Sequence, residues 1–491
     1  MPPPNEDDGD ARTWTNWAKT QSCRPAEEPH PNSKEALIAI VNEAREKGKK
    51  VRCAGSGHSW SSSSVTDGVL VIVDNMKKIY EPAIKTYPPE KESWTVEVET
   101  GVTIKELDDF LRAHNPPLAV PSNTVLESVR YGGVLSLGCH GAATHTRTLA
   151  DLVCEVQIID ASGTLNTFTH EKNAEEFSAA CINLGLLGVI YSYTLRVEPM
   201  FNLKMTDTFP LLREFSAQDI KKMVVGDDQN APNDQTEIFY WPFNSEKLNS
   251  TDDRLWVKEW KRTKEDPNES QATVQARKVR QNYMTKFGDY LYECITVHPC
   301  CTPFLSYCMF EMIEWKGGSE AVLLAPDAIH YQGGIDNLPC LDLEMAFKVD
   351  KDFENVMKAW NYVIERLYEY ANRGEYPFNL TLEMRFVKSS LRIMSNAYDE
   401  KDPDAIYCMM EVLSVKDTKG FDEFSSKIAN YWMTEFGAQP HWAKMWEHVP
   451  GIVPYLRTQA SERYDRFEVV RKKYDPNGMF MNSTFAGVLG H

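Results

Sequence analysis

The sequence predicts an α+β protein of two domains, on three observations. Its 491 residues exceed the usual size of one hydrophobic core. Strand and helix patterns alternate as far as Pro199, whereas longer helices mixed with strands follow that proline. Hydrophobic residues make up 42% of the chain and charged residues 25%, which is typical of a globular protein and excludes a largely disordered one.

The first domain is predicted to begin with an amphipathic helix. Residues 34–49 place apolar side chains on one face and charged side chains on the other. A second helix is predicted at 104–114, and apolar or alternating runs predict strands at 51–54, 69–73, 94–100, 153–159 and 188–197. The strand 188–197 closes this domain, because Pro199 interrupts the pattern.

The second domain mixes strands with longer helices. Strands are predicted at 236–241, 341–347 and 405–412, and helices at 353–371 and 421–436. The charge-dense residues 259–280 predict a solvated helix or an insertion. We therefore expect a flexible lead-in at residues 1–20, a first domain at 21–200, a second domain at 201–450 with an insertion at about 250–315, and a tail at 451–491 that returns to the first domain.

Charge and cysteine content restrict the partners and the compartment. The 71 acidic and 53 basic residues give a net charge of -18, which repels phosphate backbones and so excludes nucleic acid as a partner. The N-terminus MPPPNEDDGDART lacks the apolar segment of a secretory signal, and the 11 cysteines lack the spacing of a disulfide framework. We expect an intracellular location, in the cytoplasm or at a membrane of the endoplasmic reticulum or mitochondrion.

One segment bears on membrane contact. Residues 294–310 (CITVHPCCTPFLSYCMF) carry no formal charge, but they are too few for a typical span and include the helix breakers Pro299 and Pro303. We expect a buried or interfacial segment, which leaves room for peripheral membrane association. Its cysteines, together with His298, lack C-x2-C spacing, so packed thiols are expected and no metal is predicted.

A glycine-rich loop follows the strand 51–54. In AGSGHSW, residues 54–60, two glycines let backbone N–H groups approach an anion such as a pyrophosphate. The spacing differs from G-x-G-x-x-G, which excludes a Rossmann dinucleotide site. His58 stands where such a loop would hold it against a cofactor, and a turn histidine bonded to its own backbone is the alternative.

Three further segments carry candidate functional groups. YGGVLSLGCHG at 131–141 allows either a close approach to a cofactor or a tight packing turn. In TLEMRF at 381–386, Glu383 and Arg385 share one strand face, where burial would require them to be paired or used. A surface salt bridge is the alternative for that pair. QPHWAK at 439–444 would by itself be an interdomain loop.

Together these segments resemble the FAD-linked aldonolactone and alditol oxidases, which are flavoproteins of the vanillyl-alcohol-oxidase type. The resemblance runs from Trp14 to the C-terminus and is most specific at PHWAK, residues 440–444, while DPNGMFMN at 475–482 matches the family's closing turn. It implies a two-domain α+β fold with an N-terminal FAD-binding domain of the PCMH type and a C-terminal substrate or cap domain. It also implies that FAD is bonded covalently to His58 through its 8α-methyl carbon.

The same resemblance implies which residues contact FAD. Gly132 occupies the position where oxidases of the family carry a small residue that leaves oxygen a path to the reduced flavin. In addition to His58, the implied FAD contacts are Ala54, Gly55, Ser56, Gly57, Ser59, Trp60, Pro121, Gly132, Gly133, Ser136, Gly138, Cys139, His140, Gly188, Ile190 and His441.

Three catalytic residues are implied as well. Glu383 would accept a hydrogen bond from a substrate hydroxyl, Arg385 would stabilise alkoxide or enolate charge, and Lys444 would lie near flavin N1 and C2=O. Residues 407–410 and Val125 replace hydroxyl-binding residues of the alditol oxidases, which favours a cyclic lactone over a polyol. The implied substrate contacts are Val125, Glu383, Arg385, Met410 and Lys444.

The implied reaction converts a secondary alcohol of a sugar 1,4-lactone, of the L-gulono-, galactono- or arabinono-lactone type, into a ketone, and reduces O2 to H2O2. Oxidation at C2 would give a product that enolises to an ascorbate-type enediol. The alternatives are an alditol or other secondary-alcohol oxidase, a dehydrogenase that uses a different electron acceptor, and a flavin-binding protein without turnover. The sequence indicates no oligomeric state.

Overall fold

The first part of the chain is organised around a six-stranded antiparallel sheet. The computed structural model describes residues 13–245, 250–316 and 320–491. Up to Pro199 the elements are β1 (Trp14–Thr15), β2 (Ser22–Cys23), α1 (Lys34–Glu46), β3 (Val51–Ala54), β4 (Val69–Ile72), β5 (Ala83–Lys85), β6 (Ser93–Glu99), α2 (Ile104–Ala113), β7 (Leu118–Ala119), α3 (Tyr131–Ser136), β8 (Val153–Ile159), β9 (Leu165–Thr169), α4 (Ala174–Cys181) and β10 (Val189–Pro199). The sheet has the order β5-β6-β10-β8-β9 with β7 paired to β10, and β3 and β4 form a separate parallel pair.

The helices and strands predicted for this part are confirmed, with small differences at their ends. α1 begins after Ser33, whose hydroxyl accepts a hydrogen bond from the first turn, and it buries Leu37 and Val41. α2 begins at a capping box made by Thr103 and Glu106. Both helices therefore start where a side chain satisfies backbone N–H groups that have no partner within the helix.

The second part of the chain forms an eight-stranded antiparallel sheet covered by helices. Its elements are β11 (Asn202–Thr208), α5 (Ala217–Val225), β12 (Gln235–Tyr240), β13 (Trp256–Thr263), α6 (Gln271–Val297), α7 (Thr302–Lys316), β14 (Ala321–Leu324), α8 (Ala325–Ile329), β15 (Cys340–Lys348), α9 (Glu354–Ala371), β16 (Leu382–Lys388), β17 (Ile406–Val415), α10 (Phe421–Phe436), β18 (Gln439–Pro440), α11 (Ile452–Tyr474) and α12 (Ser483–Ala486). The strand order is β14-β11-β13-β12-β16-β17-β15-β18.

The two faces of this large sheet differ in polarity. On β16, Leu382, Met384 and Phe386 are fully buried in the hydrophobic core, whereas Glu383 and Arg385 point to the opposite face and line a cavity. Helices α9 and α10 pack on the apolar side. The polar face of the sheet is therefore directed toward the first domain.

Residues 259–280 differ from the prediction of a solvated helix or an insertion. β13 extends to Thr263 and pairs with β11 and β12 inside the sheet, and the helix begins only at Gln271. Charged residues stand on both faces of β13: Lys258 lines the cavity and Glu259 accepts a hydrogen bond from Asn233. The strand therefore lacks the apolar alternation by which strands are recognised.

The lead-in is ordered from Trp14 onward, so the prediction of flexibility up to residue 20 is wrong for that stretch. β1 pairs with β2, and Ala18 is buried. Trp17 lines the cavity. The proline-rich, acidic composition that predicted flexibility is confined to residues 1–12, which lie outside the described residues.

The charge-free segment 294–310 belongs to a helical hairpin. α6 ends at Val297, a single turn of 3-10 helix spans Pro299–Cys301, and α7 follows. No helix within the three described ranges is both long and apolar enough to cross a membrane. The cysteines are free thiols, but Cys294 and Cys300 are exposed, so the prediction of packed thiols is only partly correct.

The C-terminal segment returns to the first domain through a tight turn. The Asp475 carboxylate accepts hydrogen bonds from the N–H groups of Met479 (2.7 Å) and Phe480 (2.8 Å). The Met479 carbonyl in turn accepts a hydrogen bond from the Val51 N–H (3.0 Å). The tail is therefore joined to β3, the strand that precedes the glycine loop.

Arg52 links four segments from the inside of the first domain. Its buried guanidinium donates hydrogen bonds of 2.7 to 2.8 Å to the carbonyl oxygens of Ser63, Leu184, Gly185 and Phe480. Burial lowers the pKa of Arg52 to about 10, so the group stays charged at neutral pH. The four acceptors compensate that buried charge and hold β3, the following loop and the tail together.

We expect Arg52→Met to lower the free energy of unfolding by roughly 3–5 kcal/mol, because four buried carbonyl groups lose their donor. Arg24→Met is the matched control. Arg24 is exposed and makes one long contact with Thr13 (3.4 Å), so its loss should cost less than about 0.5 kcal/mol. Urea unfolding followed by circular dichroism measures both, and equal midpoints would contradict the role assigned to Arg52.

Candidate active site

A cavity of about 590 Å³ lies between the first domain and the polar face of the large sheet. The glycine loop after β3 and the residues of and after α3 line it from one side, and strands of the large sheet line it from the other. The predicted site residues that line this cavity are Ala54, Gly55, Ser56, Gly57, His58, Ser59, Trp60, Val125, Gly132, Gly133, Ser136, Cys139, His140, Gly188, Ile190, Glu383, Arg385, His441 and Lys444.

Three predicted site residues do not line this cavity. Met410 packs in the hydrophobic core, and its neighbour Glu411 faces the cavity instead, because successive side chains of a strand point to opposite faces. Pro121 is buried outside the lining. Gly138 has a φ of 73°, a left-handed conformation that glycine adopts readily, and it allows the turn after α3.

His58 is held on two sides within the cavity lining. Its ring stacks on Trp17 with centroids 4.6 Å apart, and its Nε2 lies 3.5 Å from Asp336 Oδ1. The Trp17 indole N–H donates to the Asp336 carbonyl (2.8 Å), so the three residues fix one another. His58 Nδ1 is buried and has no hydrogen-bond partner among the residues that the structure describes.

The surroundings of His58 suit attachment to a flavin. Burial lowers the pKa of His58, which favours the neutral ring. When the ring proton is on Nε2 and faces the Asp336 carboxylate, Nδ1 carries a free lone pair. This buried nitrogen has an unused lone pair and lies at the edge of a cavity lined by a glycine loop. These properties fit attachment to the FAD that the resemblance implies.

The two glycines of the YGG motif differ in what a side chain would meet. A Cβ on Gly132 would lie 2.0 Å from Thr100 Oγ1 and 2.8 Å from the Thr100 carbonyl oxygen, whereas a Cβ on Gly133 would meet no atom within 4 Å. Both residues line the cavity. Packing against Thr100 therefore already requires the glycine at 132, and Gly133 is the position of the two with room for a side chain.

Arg385 lies among three carboxylates on the cavity face of the sheet. It forms an ion pair with Glu383 on its own strand, and it lies 3.3 Å from Glu237 on β12 and 3.6 Å from Glu411 on β17. These contacts follow from strand register, since Glu237 is directly paired with Arg385 and Glu411 with Glu383. The predicted pairing of Glu383 with Arg385 is confirmed as a buried ion pair.

Lys444 forms a second cationic centre in the same cavity. Its ammonium contacts the carboxylates of Asp342 and Glu411 and lies 3.8 Å from Glu344. It also stands 4.6 Å from the ring centroid of Trp60 in the glycine loop. Lys444 therefore connects the loop that carries His58 with the acidic face of the sheet.

The pKa values of this network are moved in opposite directions. Burial, reinforced by Glu411, raises the pKa of both Glu383 and Asp342 well above the usual range, and for Glu383 this outweighs Arg385. Burial raises the pKa of Glu411, but the charges of Lys444 and Arg385 and a hydrogen bond with Asp342 together outweigh it, so the pKa is lowered. At Arg385 and Lys444 the surrounding carboxylates outweigh the effect of burial, and they raise the pKa of both groups well above normal. Glu383 and Asp342 therefore ionise at a higher pH than Glu411, a separation typical of acid–base sites.

A buried cluster of His140, Glu344 and His441 lies beside Lys444. Their side-chain ligand atoms all lie within 4.8 Å of one another, close enough to suggest a metal site. However, burial lowers the pKa of His441 to about 4, and its Nδ1 accepts a hydrogen bond from the Ala443 N–H (3.1 Å). That bond puts the proton of the neutral ring on Nε2, which leaves this nitrogen a donor rather than a ligand. We interpret the cluster as support for Glu344, which also contacts His140 Nε2 (2.7 Å).

Several acidic residues of the site were missed by the sequence analysis. For two strands a signal existed: Asp342 and Glu344 alternate in LDLEMAF, and Glu411 follows an apolar run, the same pattern that singled out Glu383. Asp336 lies in a single turn of 3-10 helix, Ile335–Asn337, which is too short to show a periodicity. The missed residues are Glu237, Asp336, Asp342, Glu344 and Glu411.

Fold and cavity together define an FAD-dependent oxidoreductase of the vanillyl-alcohol-oxidase type. The solved structure of cholesterol oxidase from B. sterolicum has the same fold, with a TM-score of 0.78 over 97% of this chain and 96% of that chain, at 17% identity. The profile described as FAD binding domain matches residues 29–169. The predicted two-domain flavoprotein fold and the FAD cofactor are confirmed.

Within this class, the chain belongs to the D-arabinono-1,4-lactone oxidase family, whose profile matches residues 193–488. It is 26% identical to L-gulonolactone oxidase of Bos taurus, over 95% of this chain and 96% of that protein. It is 23% identical to L-gulono-1,4-lactone dehydrogenase of Mycobacterium tuberculosis, over 97% of this chain and 99% of that protein. D-arabinono-1,4-lactone oxidase of Kluyveromyces lactis is 32% identical over 40% of this chain and 37% of that protein. The family indicated by the sequence motifs is confirmed, and its members include both oxidases and a dehydrogenase.

Substitution by alanine should separate the two glycines of the YGG motif. Gly132→Ala should lose roughly 1–3 kcal/mol of stability, because its Cβ would overlap Thr100. Gly133→Ala should fold with unchanged or slightly higher stability and slow the reaction of the reduced flavin with oxygen. Thermal unfolding and stopped-flow reoxidation measure the two effects. Fast reoxidation in Gly133→Ala would contradict this expectation and would leave the oxygen path at Gly132, where the family resemblance implies it.

Proposed function

We propose that this protein oxidises a secondary hydroxyl of a sugar 1,4-lactone to a ketone and reduces O2 to H2O2. The observation that carries the proposal is a cavity face where Arg385 and Lys444 lie beside Glu383, whose pKa is raised by burial, and where Lys444 reaches Trp60 of the glycine loop. Membership of the lactone oxidase family supports the lactone as substrate. The dehydrogenase among the relatives keeps a different electron acceptor open as the alternative.

The chain offers a defined set of groups to hold the cofactor. The glycine loop 54–60 and Gly133 would contact FAD, His58 would bond to it, and the ammonium of Lys444 would stabilise negative charge on the reduced ring. When bound, FAD supplies the acceptor for the two electrons of the carbinol C–H bond and the route by which they reach O2.

Glu383 and Arg385 would handle the substrate hydroxyl. The ionised Glu383 accepts the hydroxyl proton, while the Arg385 guanidinium stabilises the alkoxide that forms. Arg385 is shared with Glu237 and Glu411, so one cation balances three carboxylates. Burial and the neighbouring carboxylates raise the pKa of Glu383. A general base is most effective when its pKa is raised from the usual carboxylate range toward the working pH.

The test is anaerobic bleaching of the bound flavin by L-gulono-, L-galactono- and D-arabinono-1,4-lactone, with the corresponding alditols in parallel. We expect lactones to bleach it and admission of oxygen to yield one H2O2 per ketone.

The rate of flavin reduction should rise with pH through the raised pKa of Glu383, because only the ionised form accepts the proton. Glu383→Gln should remove this limb and slow reduction by roughly 10²–10⁴. Bleaching by alditols alone, or slow reoxidation in air, would favour the alternatives.

We propose that FAD is attached covalently to His58 and that Asp336 orients the ring for attachment. The buried, unpartnered Nδ1 and the carboxylate 3.5 Å from Nε2 support this. His58→Ala should bind FAD that acid releases completely. Asp336→Asn should bind FAD but form the covalent bond at least about tenfold more slowly, whereas the exposed Asp352→Asn should not. Flavin that stays on the polypeptide after acid denaturation is the readout, and full attachment in His58→Ala would exclude this residue.

We propose further that the α6–α7 hairpin contacts an anionic membrane surface inside the cell through a locally basic and apolar patch, although the whole chain carries a net charge of -18. Within the described residues nine large hydrophobic side chains are exposed, and five of them lie on this hairpin: Val279, Tyr283, Val297, Phe304 and Met312. Exposed Arg280 and Lys286 on α6 stand near them and complement acidic lipid headgroups.

Flotation with phosphatidylcholine–phosphatidylserine vesicles tests this contact. Wild-type protein should float, and the double variant Val297→Asp with Phe304→Asp should not. Both side chains are 69% exposed, so the variant should fold normally. The control Ile84→Asp with Val469→Asp, which alters exposed side chains elsewhere, should float like the wild type. Loss of flotation in the control, or none in the hairpin variant, would contradict the proposal.

A further inference from the structure

We propose that the cavity contains a second subsite, beyond Glu383 and Arg385, that binds a sugar ring attached to the lactone. The substrate class would then be a glycosylated aldono-1,4-lactone rather than a single free sugar lactone. This inference rests on the lactone oxidation proposed above and extends it to the outer part of the same cavity.

The register of the large sheet locates this subsite. Glu237 on β12 is paired with Arg385 on one side and with Lys258 of β13 on the other, and Lys258 is paired with Asp207 of β11. Arg385, Lys258 and Asp207 all line the cavity. Neighbouring strands are about 4.8 Å apart, so Lys258 lies roughly 10 Å and Asp207 roughly 14 Å from Arg385.

An aromatic wall, formed by Phe239, Trp241 and Trp256, stands in the adjacent row of side chains. Phe239 is paired with Glu383 on one side and with Trp256 on the other. The rings of Phe239 and Trp256 stack with centroids 4.9 Å apart, and Trp241 lies 5.9 Å from Trp256. All three rings line the cavity. The aromatic wall therefore begins one strand away from Glu383.

A lactone ring alone does not reach most of this wall. A five-membered ring is about 5 Å across, comparable to one strand spacing. Bound to Glu383 and Arg385, it would cover the cavity face of β16 and the edge of Phe239. Trp241 and Trp256 would remain for whatever group the lactone carries.

Polar groups beside the aromatic wall favour a sugar over other substituents. Lys258 Nζ lies 2.6 Å from Asp207 Oδ1, and Arg277 and Gln332 line the same region. Among the described residues, the Trp241 indole N–H and Arg277 Nη2 have no hydrogen-bond partner. An apolar substituent would leave these donors unsatisfied, and the charges of Lys258 and Arg277 are already paired with Asp207 and Glu269, which favours a neutral polar substituent over an anionic one. A sugar ring offers C–H groups to the aromatic faces and hydroxyls that both donate and accept.

The experiment compares an unsubstituted aldono-1,4-lactone with the same lactone carrying a 6-O-glycosyl group, such as the 1,4-lactone of melibionic acid. The holoenzyme is mixed with each anaerobically, and kcat/KM for flavin reduction is measured. We expect the glycosylated lactone to be preferred by roughly tenfold, as one stacked ring with its hydrogen bonds would provide. Trp241→Leu should abolish this preference. Trp94→Leu, which alters a tryptophan packed on His114 outside the cavity, should retain it.

Equal kcat/KM for the two lactones, or an undiminished preference in folded Trp241→Leu, would overturn the subsite. An equal gain from a 6-O-benzyl lactone would also overturn the sugar assignment, since it would indicate a purely apolar pocket. If none of L-gulono-, L-galactono- and D-arabinono-1,4-lactone reduces the flavin, the proposed function is wrong, and calorimetry of melibiose binding to the holoenzyme decides the subsite separately. Binding that is lost in Trp241→Leu supports it, and absence of binding to the wild type overturns it.

Discussion

The active site depends on the packing of five buried carboxylates around the two cations Arg385 and Lys444. Arg385 and Lys444 share Glu411 between them, and each also contacts carboxylates from neighbouring strands. Burial and the repulsion between these carboxylates raise the pKa of Glu383 and Asp342. The same constraint makes Glu383 a base with a raised pKa and keeps the two cations charged, so the proposed chemistry follows from the charge balance of one sheet face.

That charge balance lies beside the cofactor loop because the two domains are joined at a few specific points. The Trp60 indole N–H donates to the Cys340 carbonyl (2.6 Å), and the Trp60 backbone N–H donates to the Ala443 carbonyl (2.7 Å). Trp17 reaches Asp336 in the same way (2.8 Å). The loop that carries His58 is therefore fixed against the segment that carries Lys444, although these residues are almost 400 positions apart in the sequence.

Features with a local cause were predictable from the sequence, and features set by distant partners were not. The alternation of Glu383, Met384 and Arg385 was enough to place the two charges on one strand face. Met410 was assigned to the site although Glu411 is the residue that faces it, because a shift of one residue along a strand exchanges the two faces. Gly132 matched a family position, but its packing against Thr100 is a contact between residues far apart in the chain.

The sequence by itself determined the two-domain α+β arrangement and the strand face shared by Glu383 and Arg385, because strand periodicity is a local property. Its resemblance to the aldonolactone oxidases added the flavoprotein class, the loop that carries His58, and Lys444. Only the tertiary structure decided which groups surround them. Strand register brought carboxylates from neighbouring strands to Arg385, and domain contacts brought Asp336 to His58. These contacts set the pKa values of the carboxylates, the surroundings of His58 Nδ1 and the shape of the cavity. The reason is that electrostatic interaction and packing depend on distances between side chains rather than on separation along the chain.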